Sequence, residues 1–404
     1  MHMKKKKVLF VINTLGRAGA EVALLSLFSA LDSNKYDISL YVIMAQGEMA
    51  DALPSYVHLR NPYFSTESVL TEDGRKDMMR TVIRKMIKNG HWFQKVSYML
   101  QVWKQMKQTG TMLPDKILWR VMSDGSENFE KEFDLAVAYL EGASTYYVAD
   151  HVKAKKKVAF VHIDYESSGY TPFMDKDCYE KMDRIFAVSD EVKAHFLKCY
   201  PQYQNKVGVF HNIIDHIQIK KMANEAGGFT DQYEGIRILT VGRLTYQKAY
   251  DIAIDAMKLV KQSGCKARWY VLGEGNEREK LEKKIKELGL EEDFLLLGAV
   301  ENPYPYYAQA DLYVHATRFE GKSIAIQEAQ VLGCPVIASD CNGNQEQIES
   351  GVDGILCKLS PEDIAKSIEE LIADPKKRQI YEKCAQERNK ENKEEINQLL
   401  TMMR

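Results

Sequence analysis

Residues 311–339 read DLYVHATRFEGKSIAIQEAQVLGCPVIAS. DLYVHA is a short apolar run of the length of a buried strand, TRFEGK a loop, SIAIQEAQVLG a helix and PVIAS a second strand. Ser323 stands at the N-cap position, Gly333 suits the turn after the helix, and Pro335 stops any continuation. Strand, loop, helix and strand in this order form a βαβ unit, which predicts a parallel sheet. Two glutamates lie eight residues apart in the stretch. Glu320 falls in the loop at the carboxyl end of a strand, and Glu328 falls in a helix whose neighbours Ile324, Ile326, Ala329 and Val331 leave it few solvent positions. A carboxylate can accept two hydrogen bonds from a vicinal diol, as on ribose or a hexose. The helix-start amides of Lys322, Ser323 and Ile324 favour an anion. Solvated surface charge is the plain alternative for both carboxylates.

Outward from this stretch the alternation recurs. Strand patterns fall at 7–13, 36–44, 133–140, 157–162, 184–189 and 206–210, with a helix at 20–31. Polar residues and a Gly-Gly pair break the pattern over 212–235, a linker. It restarts with strands at 236–242, 267–273, 294–298, 311–316, 335–339 and 354–357. Helices are expected at 248–262, 276–288, 303–310, 323–332 and 361–373, with a last one running from Asp374-Pro375 to the end. The expected fold class is α/β, with Rossmann-like domains over 1–212 and 213–384 and a terminal helix, 385–404, packing back on the first. Open parallel sheets bind ligands beyond the carboxyl ends of their strands, so the expected site is an inter-domain cleft.

Composition narrows the class. Hydrophobic residues make up 45% and charged residues 28%, as in an ordinary globular protein. The apolar run in MHMKKKKVLFVIN is too short for a secretory leader, and no run reaches the roughly 18 residues of a membrane span. Seven scattered cysteines without a C-x-x-C pair point to a reducing, cytoplasmic compartment and away from zinc. Residues 75–120 hold eleven basic and two acidic residues, interleaved with Met, Trp, Phe and Tyr. Such a stretch suits an anionic membrane surface, or a core-packing helix pair with a solvated basic face. Nucleic acid is disfavoured because the basic character is confined to this one segment.

A second pair of residues adds chemistry. In ILTVGRLTYQKAYD (238–251), Arg243 lies just past a strand and Lys248 near the next helix. Two cations at such a junction can neutralise a diphosphate. The E-x7-E spacing within EGKSIAIQEAQVLGCPVIAS, the stretch VGRLTYQKAYD, the segment LGEGNEREKLE (272–282), NIID (212–215) and RIFAVSDEVK (184–193) form an ordered set. Together they resemble the retaining, nucleotide-sugar-dependent glycosyltransferases of family four, which have the GT-B fold. The resemblance implies that Glu328 binds the ribose hydroxyls, that Glu320 binds a donor-sugar hydroxyl, and that Arg243 and Lys248 hold the diphosphate. The backbone at Gly321, Lys322, Ser323 and Ile324 would contact phosphate and sugar. Two departures stand out: Lys322-Ser323 where the family often has Phe-Gly, and Ala249 where a glycine is usual.

In the first domain, NTLGRAGAEVALLSL (13–27) lacks G-x-G-x-x-G, and no acidic residue closes the second strand. A dinucleotide site is therefore disfavoured. The segment resembles the family's glycine-rich turn, which implies that Gly19 approaches the donor. FVHIDY (160–165) ends a strand with His162, and the family's histidine here implies contact with the transferred sugar. His151, His162, His195 and His211 are too widely spaced to form a ligand motif, so no metal or cofactor is expected.

The expectation is a metal-independent retaining hexosyltransferase. It would use a nucleotide-diphosphate sugar, UDP favoured, and a glycan or lipid-linked acceptor, at or near the inner face of the plasma membrane. The competing readings are a catalytically silent subunit that stabilises a partner enzyme, and a sugar-nucleotide epimerase or phosphorylase on the same fold.

Overall fold

The structure, a computed structural model, describes residues 5–403 apart from 70, 89, 91, 110–113, 167 and 389–392. The chain divides into two compact units, residues 1–213 with 392–404, and residues 214–391.

The first unit runs β1 (Lys6–Ile12), α1 (Gly19–Ala30), β2 (Tyr36–Val42), β3 (Val57–Leu59), α2 (Glu72–Ile87), α3 (Trp92–Thr109), α4 (Pro114–Asp124), β4 (Phe133–Ala138), α5 (Ala143–His151), β5 (Ala154–Val161), α6 (Pro172–Asp175), β6 (Arg184–Ala187), α7 (Asp190–Cys199) and β7 (Val207–Val209). Its strands form a parallel sheet in the order β3-β2-β1-β4-β5-β6-β7. β1 sits mid-sheet, with Val8 beside Ile38 on one flank and Leu135 on the other. Side chains alternate across a strand, so Leu9 and Val11 enter one core while Val8, Phe10 and Ile12 enter the other. Both faces are covered, which is why these strands are continuous apolar runs.

Between β3 and β4 the described residues of 61–130 form α2, α3 and α4. Part of its basic character turns inward. The buried ammonium of Lys85 donates to Ile43 O and Ser126 Oγ, and burial lowers its pKa to about 7. Lys95 is also buried and donates to the carbonyls of Lys85, Met86 and Lys88, the open end of α2.

The second unit runs α8 (His216–Ala223), β8 (Ile236–Val241), α9 (Tyr250–Gln262), β9 (Ala267–Leu272), α10 (Arg278–Glu287), β10 (Phe294–Gly298), α11 (Tyr304–Gln309), β11 (Leu312–His315), α12 (Ile324–Val331), β12 (Val336–Ser339), α13 (Asn342–Gln345), β13 (Gly354–Cys357), α14 (Pro361–Ala373) and α15 (Pro375–Arg388). The sheet is parallel, in the order β10-β9-β8-β11-β12-β13. α9, α10 and α14 cover one face; α8, α11 and α12 cover the other.

Three expectations need correction. The stretch 212–235 is not all linker, because Asp215 caps α8 by accepting from Gln218 N at 2.9 Å. The helix expected from 248 starts at Tyr250, since a 3-10 turn over 246–248 and a left-handed Ala249 precede it. The single last helix is instead α15 followed by α16 (Lys393–Met402), the residues between them lying outside the described set. α16 belongs to the first unit: Leu399 and Met403 enter its core with Leu24, Leu27 and Phe28.

Candidate active site

Both sheets reverse direction once, between β1 and β4 and between β8 and β11. At such a switch point neighbouring loops leave to opposite faces and open a crevice. Arg243, Lys248 and Glu320 follow β8 and β11, Gly19 follows β1, His162 follows the neighbouring β5, and Glu328 lies in α12.

In the second unit, the loop after β8 is held by backbone. Gly242 N donates to Leu272 O and Leu244 N to Glu274 O, both at 2.9 Å. A Cβ on Gly275 would come within 2.2 Å of Leu244 O, so only glycine lets the two loops lie this close. Arg243, between those anchors, is exposed, and its guanidinium makes no hydrogen bond or ion pair among the described residues. Lys248 lies in the following 3-10 turn. Ala249 after it has φ +46°, which explains why glycine suits this position.

The loop after β11 is fastened to that turn. Arg318 N donates to Gln247 O at 2.8 Å, Gln247 Nε2 to Phe319 O at 2.9 Å, and Arg318 pairs with both oxygens of Asp251 at 3.1 and 2.7 Å. The Lys248 ammonium consequently meets the Glu320 carboxylate. His315, at the end of β11, completes the group: its Nε2 lies 3.0 Å from Glu320 Oε2, and its Nδ1 3.1 Å from Tyr313 Oη. Since the carboxylate only accepts, Nε2 donates to it, while the Tyr313 hydroxyl also lies 3.3 Å from Val241 O. Burial alone would raise the Glu320 pKa, but the Lys248 charge and the His315 hydrogen bond outweigh it and hold it at about 2. Burial and the Lys248 charge lower the pKa of His315.

Glu328 sits in the opposite environment. It is 6% exposed, with Tyr304 Oη donating to Oε1 and Tyr307 Oη to Oε2, each at 3.1 Å. Burial raises its pKa to about 7, partly offset by the two tyrosine hydrogen bonds. Between the glutamates, Gly321 and Lys322 are half-buried and Ser323 is buried. Ser323 holds the N-cap position, but its side chain accepts no capping hydrogen bond, contrary to the expected cap. The amides of Ser323 and Ile324 have no acceptor among the described residues, so this helix start keeps donors for an anion.

In the first unit, Gly19 opens α1 in an exposed position behind Ala18, which offers no side-chain cap. His162 follows β5, and its Nε2 is buried with no partner among the described residues. Burial lowers its pKa to about 4, so the ring is neutral near pH 7. The structure thus unites Lys248 with Glu320, places Arg243 on the same loop as Lys248, and sets Glu328 one helical segment away. Gly19 and His162 belong to the other unit.

Sequence reading passed over His315, Tyr304, Tyr307, Gly343 and Glu141. His315 and Glu141 were accessible, since each follows an apolar run just as His162 does. Gly343 was not: a Cβ there would lie 2.1 Å from Gly321 O and 2.3 Å from Glu320 O, a close approach visible only in three dimensions. The fold also brings His195 within 2.8 Å of Asp164 and 3.5 Å of Glu166, a grouping able to hold a cation that sequence spacing conceals. Lys198 pairs with Glu166 there at 2.8 Å.

Residues 231–388 match the family model described as glycosyl transferases group 1. This segment belongs to that family. In the group 1 transferases, a relative from Campylobacter jejuni subsp. jejuni, N-acetylgalactosamine-N,N'-diacetylbacillosaminyl-diphospho-undecaprenol 4-alpha-N-acetylgalactosaminyltransferase, is 30% identical over 214 residues, covering 52% of this chain and 57% of its own. The amylovoran biosynthesis glycosyltransferase AmsD of Erwinia amylovora is 30% identical over 149 residues, 37% of this chain and 42% of its own. The chain thus spans about half the length of the curated relatives it matches. The crystal structure of Anabaena Alr3699/HepE with UDP-glucose superposes with a TM-score of 0.67, covering 98% of both chains at 18% identity. The fold is that of the GT-B glycosyltransferases, two Rossmann-like parallel-sheet domains in one chain.

Proposed function

We propose that the protein is a retaining glycosyltransferase that moves a hexose or hexose derivative from a nucleotide diphosphate, UDP favoured, to a glycan or lipid-linked acceptor. The observation that carries this reading is the Lys248–Glu320–His315 cluster, with the unengaged Arg243 guanidinium beside it, at the β8/β11 switch point. UDP-glucose in the HepE structure, and the diphospho-undecaprenol compound and amylovoran in the names of the relatives, support the donor and acceptor classes.

Each residue then has a task. Arg243 and Lys248 hold the diphosphate, and the helix start at Gly321, Lys322, Ser323 and Ile324 offers it amides. Glu320, kept ionised, accepts a hydroxyl of the donor sugar, while its own bonds to Lys248 and His315 fix its position. Glu328 accepts the ribose hydroxyls. Gly19 and the neutral His162 contact the donor sugar. As the glycosidic bond to the diphosphate breaks, negative charge grows on the leaving phosphate. The two cations stabilise that charge, and the phosphate accepts the acceptor hydroxyl's proton on the same face, so configuration is retained. Preorganised groups of this kind contribute about 2.7–4 kcal/mol each.

Association with an anionic lipid surface forms part of the proposal. Met79, Ile83 and Ile87 form one exposed row on α2, and Leu100 and Trp103 are exposed on α3. Arg75, Lys76, Arg80, Arg84, Lys104 and Lys107 are exposed among them. Apolar side chains set among cations suit a peripheral contact. No helix among the described residues is long and apolar enough to cross a membrane.

A thermal-shift screen against UDP, GDP, ADP and their sugars tests the donor assignment. A ligand at 100 times its Kd adds about 2.7 kcal/mol of stability, and no shift with any of them contradicts it. Turnover of a nucleotide sugar excludes the silent subunit. Release of free UDP that depends on acceptor excludes the epimerase.

A further inference from the structure

The carboxyl end of β4 and the segments beside it carry groups that the donor reading leaves unused. Glu141 follows β4, is buried, and accepts the amide of His162 on Oε2 at 3.0 Å. Asn13, at the end of β1, donates to Glu141 O at 3.0 Å and accepts from Ser144 N at 2.9 Å. Three strand ends are therefore locked together at the first unit's switch point.

Gly142 comes next, at φ +79°. A Cβ there would lie 2.5 Å from Tyr170 Oη and 2.9 Å from Trp119 Cδ1. Two rings from separate segments, α4 and the loop before α6, thus descend onto the backbone beside Glu141, and neither is fully covered. Lys116, one turn before Trp119, holds its ammonium 4.1 Å over the Tyr170 ring and donates to Ser168 O. The buried Nε2 of His162, given above to the donor sugar, has no partner among the described residues at the same strand ends. Half-open rings beside a carboxyl and an imidazole can take a pyranose, whose C–H face packs on an aromatic ring while its hydroxyls bond the polar groups.

We propose that Trp119, Tyr170, Glu141 and Lys116 form the acceptor subsite, and that it receives a pyranose ring at the end of a glycan rather than a bare lipid alcohol or phosphate. This rests on the transferase reading above. It also gives part of the helical stretch between β3 and β4 a task, because α4 brings two of the four residues. Burial raises the Glu141 pKa, which suits a carboxyl sharing a proton with a sugar hydroxyl.

Saturation-transfer NMR tests it on the full chain, with methyl glycosides of glucose, galactose, N-acetylglucosamine and N-acetylgalactosamine, and with geranyl phosphate as the lipid probe. At least one methyl glycoside is expected to bind, with Kd raised tenfold or more in Trp119→Ala and largely recovered in Trp119→Phe, which keeps a ring. UDP affinity, measured by calorimetry on the same samples, should not change in either variant, and amide NMR shifts of the first unit that match wild type away from residue 119 show that Trp119→Ala remains folded. Equal glycoside binding by Trp119→Ala, no binding of any methyl glycoside, or binding of geranyl phosphate alone would overturn the subsite. Loss of UDP binding by the wild-type protein would instead strike the transferase reading.

Discussion

At the scale of single residues, Glu320 and Glu328 show how one short stretch produces two opposite carboxylates. Glu320 is held near pKa 2 because a lysine and a histidine face it; Glu328 rises to about 7 because its partners, Tyr304 and Tyr307, are neutral. Their linkages to folding have opposite signs. The folded pKa of Glu328 lies above its unfolded value, so its contribution is fully present below pH 4.5 and is lost as pH rises through 7, a change of about 3 kcal/mol. Glu328→Gln should therefore gain stability relative to wild type between pH 5 and pH 8 in urea unfolding; a constant difference across that range would refute the assigned environment. Glu320 works the other way: its contribution is present above pH 4.5 and lost as pH falls through 2. Lys248→Met leaves that carboxylate buried without its ion-pair partner, and should cost about 3–5 kcal/mol at pH 7. The deficit should shrink in acid as Glu320 protonates, which unfolding at pH 7 and pH 3 will show.

At the scale of elements, the site depends on loops clamped to one another more than on any helix. The loop after β11 is tied to the 3-10 turn by Gln247 and Arg318 and rests on Gly343. Gly343→Ala forces the 320–321 backbone outward. A displacement near 1 Å costs about 100-fold in rate, so nucleotide-sugar turnover should fall while UDP binding persists; unchanged turnover would show that the loop tolerates the shift. The same clamping explains what was legible beforehand. Strands and their order of appearance were readable because buried parallel strands are apolar runs. Arg243, Lys248, Glu320 and Glu328 stood out because each lies at a strand end or in a helix beside one. The buried ion pair of Lys248 and Glu320, the tyrosine pair on Glu328 and the seat at Gly343 were hidden, since they join segments tens of residues apart. Ser323 misled because its residue type suits a cap that its side chain does not make. The helices α2 to α4 were obscure because Lys85 and Lys95, charged by sequence, are spent inside.

At the scale of the whole molecule, two Rossmann-like units divide the proposed labour: donor phosphates and ribose at the β8/β11 switch point, acceptor sugar at the β1/β4 switch point. The exposed row of Met79, Ile83 and Ile87 with its flanking cations predicts salt-sensitive binding to anionic liposomes. Ile83→Asp with Ile87→Asp should lower the bound fraction about tenfold in co-sedimentation, because two apolar anchors are lost and two like charges meet the lipid. Binding that ignores both the substitutions and the salt concentration would rule out this surface. In the proposed reaction Arg243 and Lys248 stabilise a departing nucleoside diphosphate. The most direct test of that stabilisation is UDP released per second from UDP-glucose, UDP-galactose and their N-acetylamino forms, by wild type and by Arg243→Ala. Release is expected with at least one donor, with a fall of about 100-fold or more in the variant; no release from any donor, or wild-type release by Arg243→Ala, would refute this role.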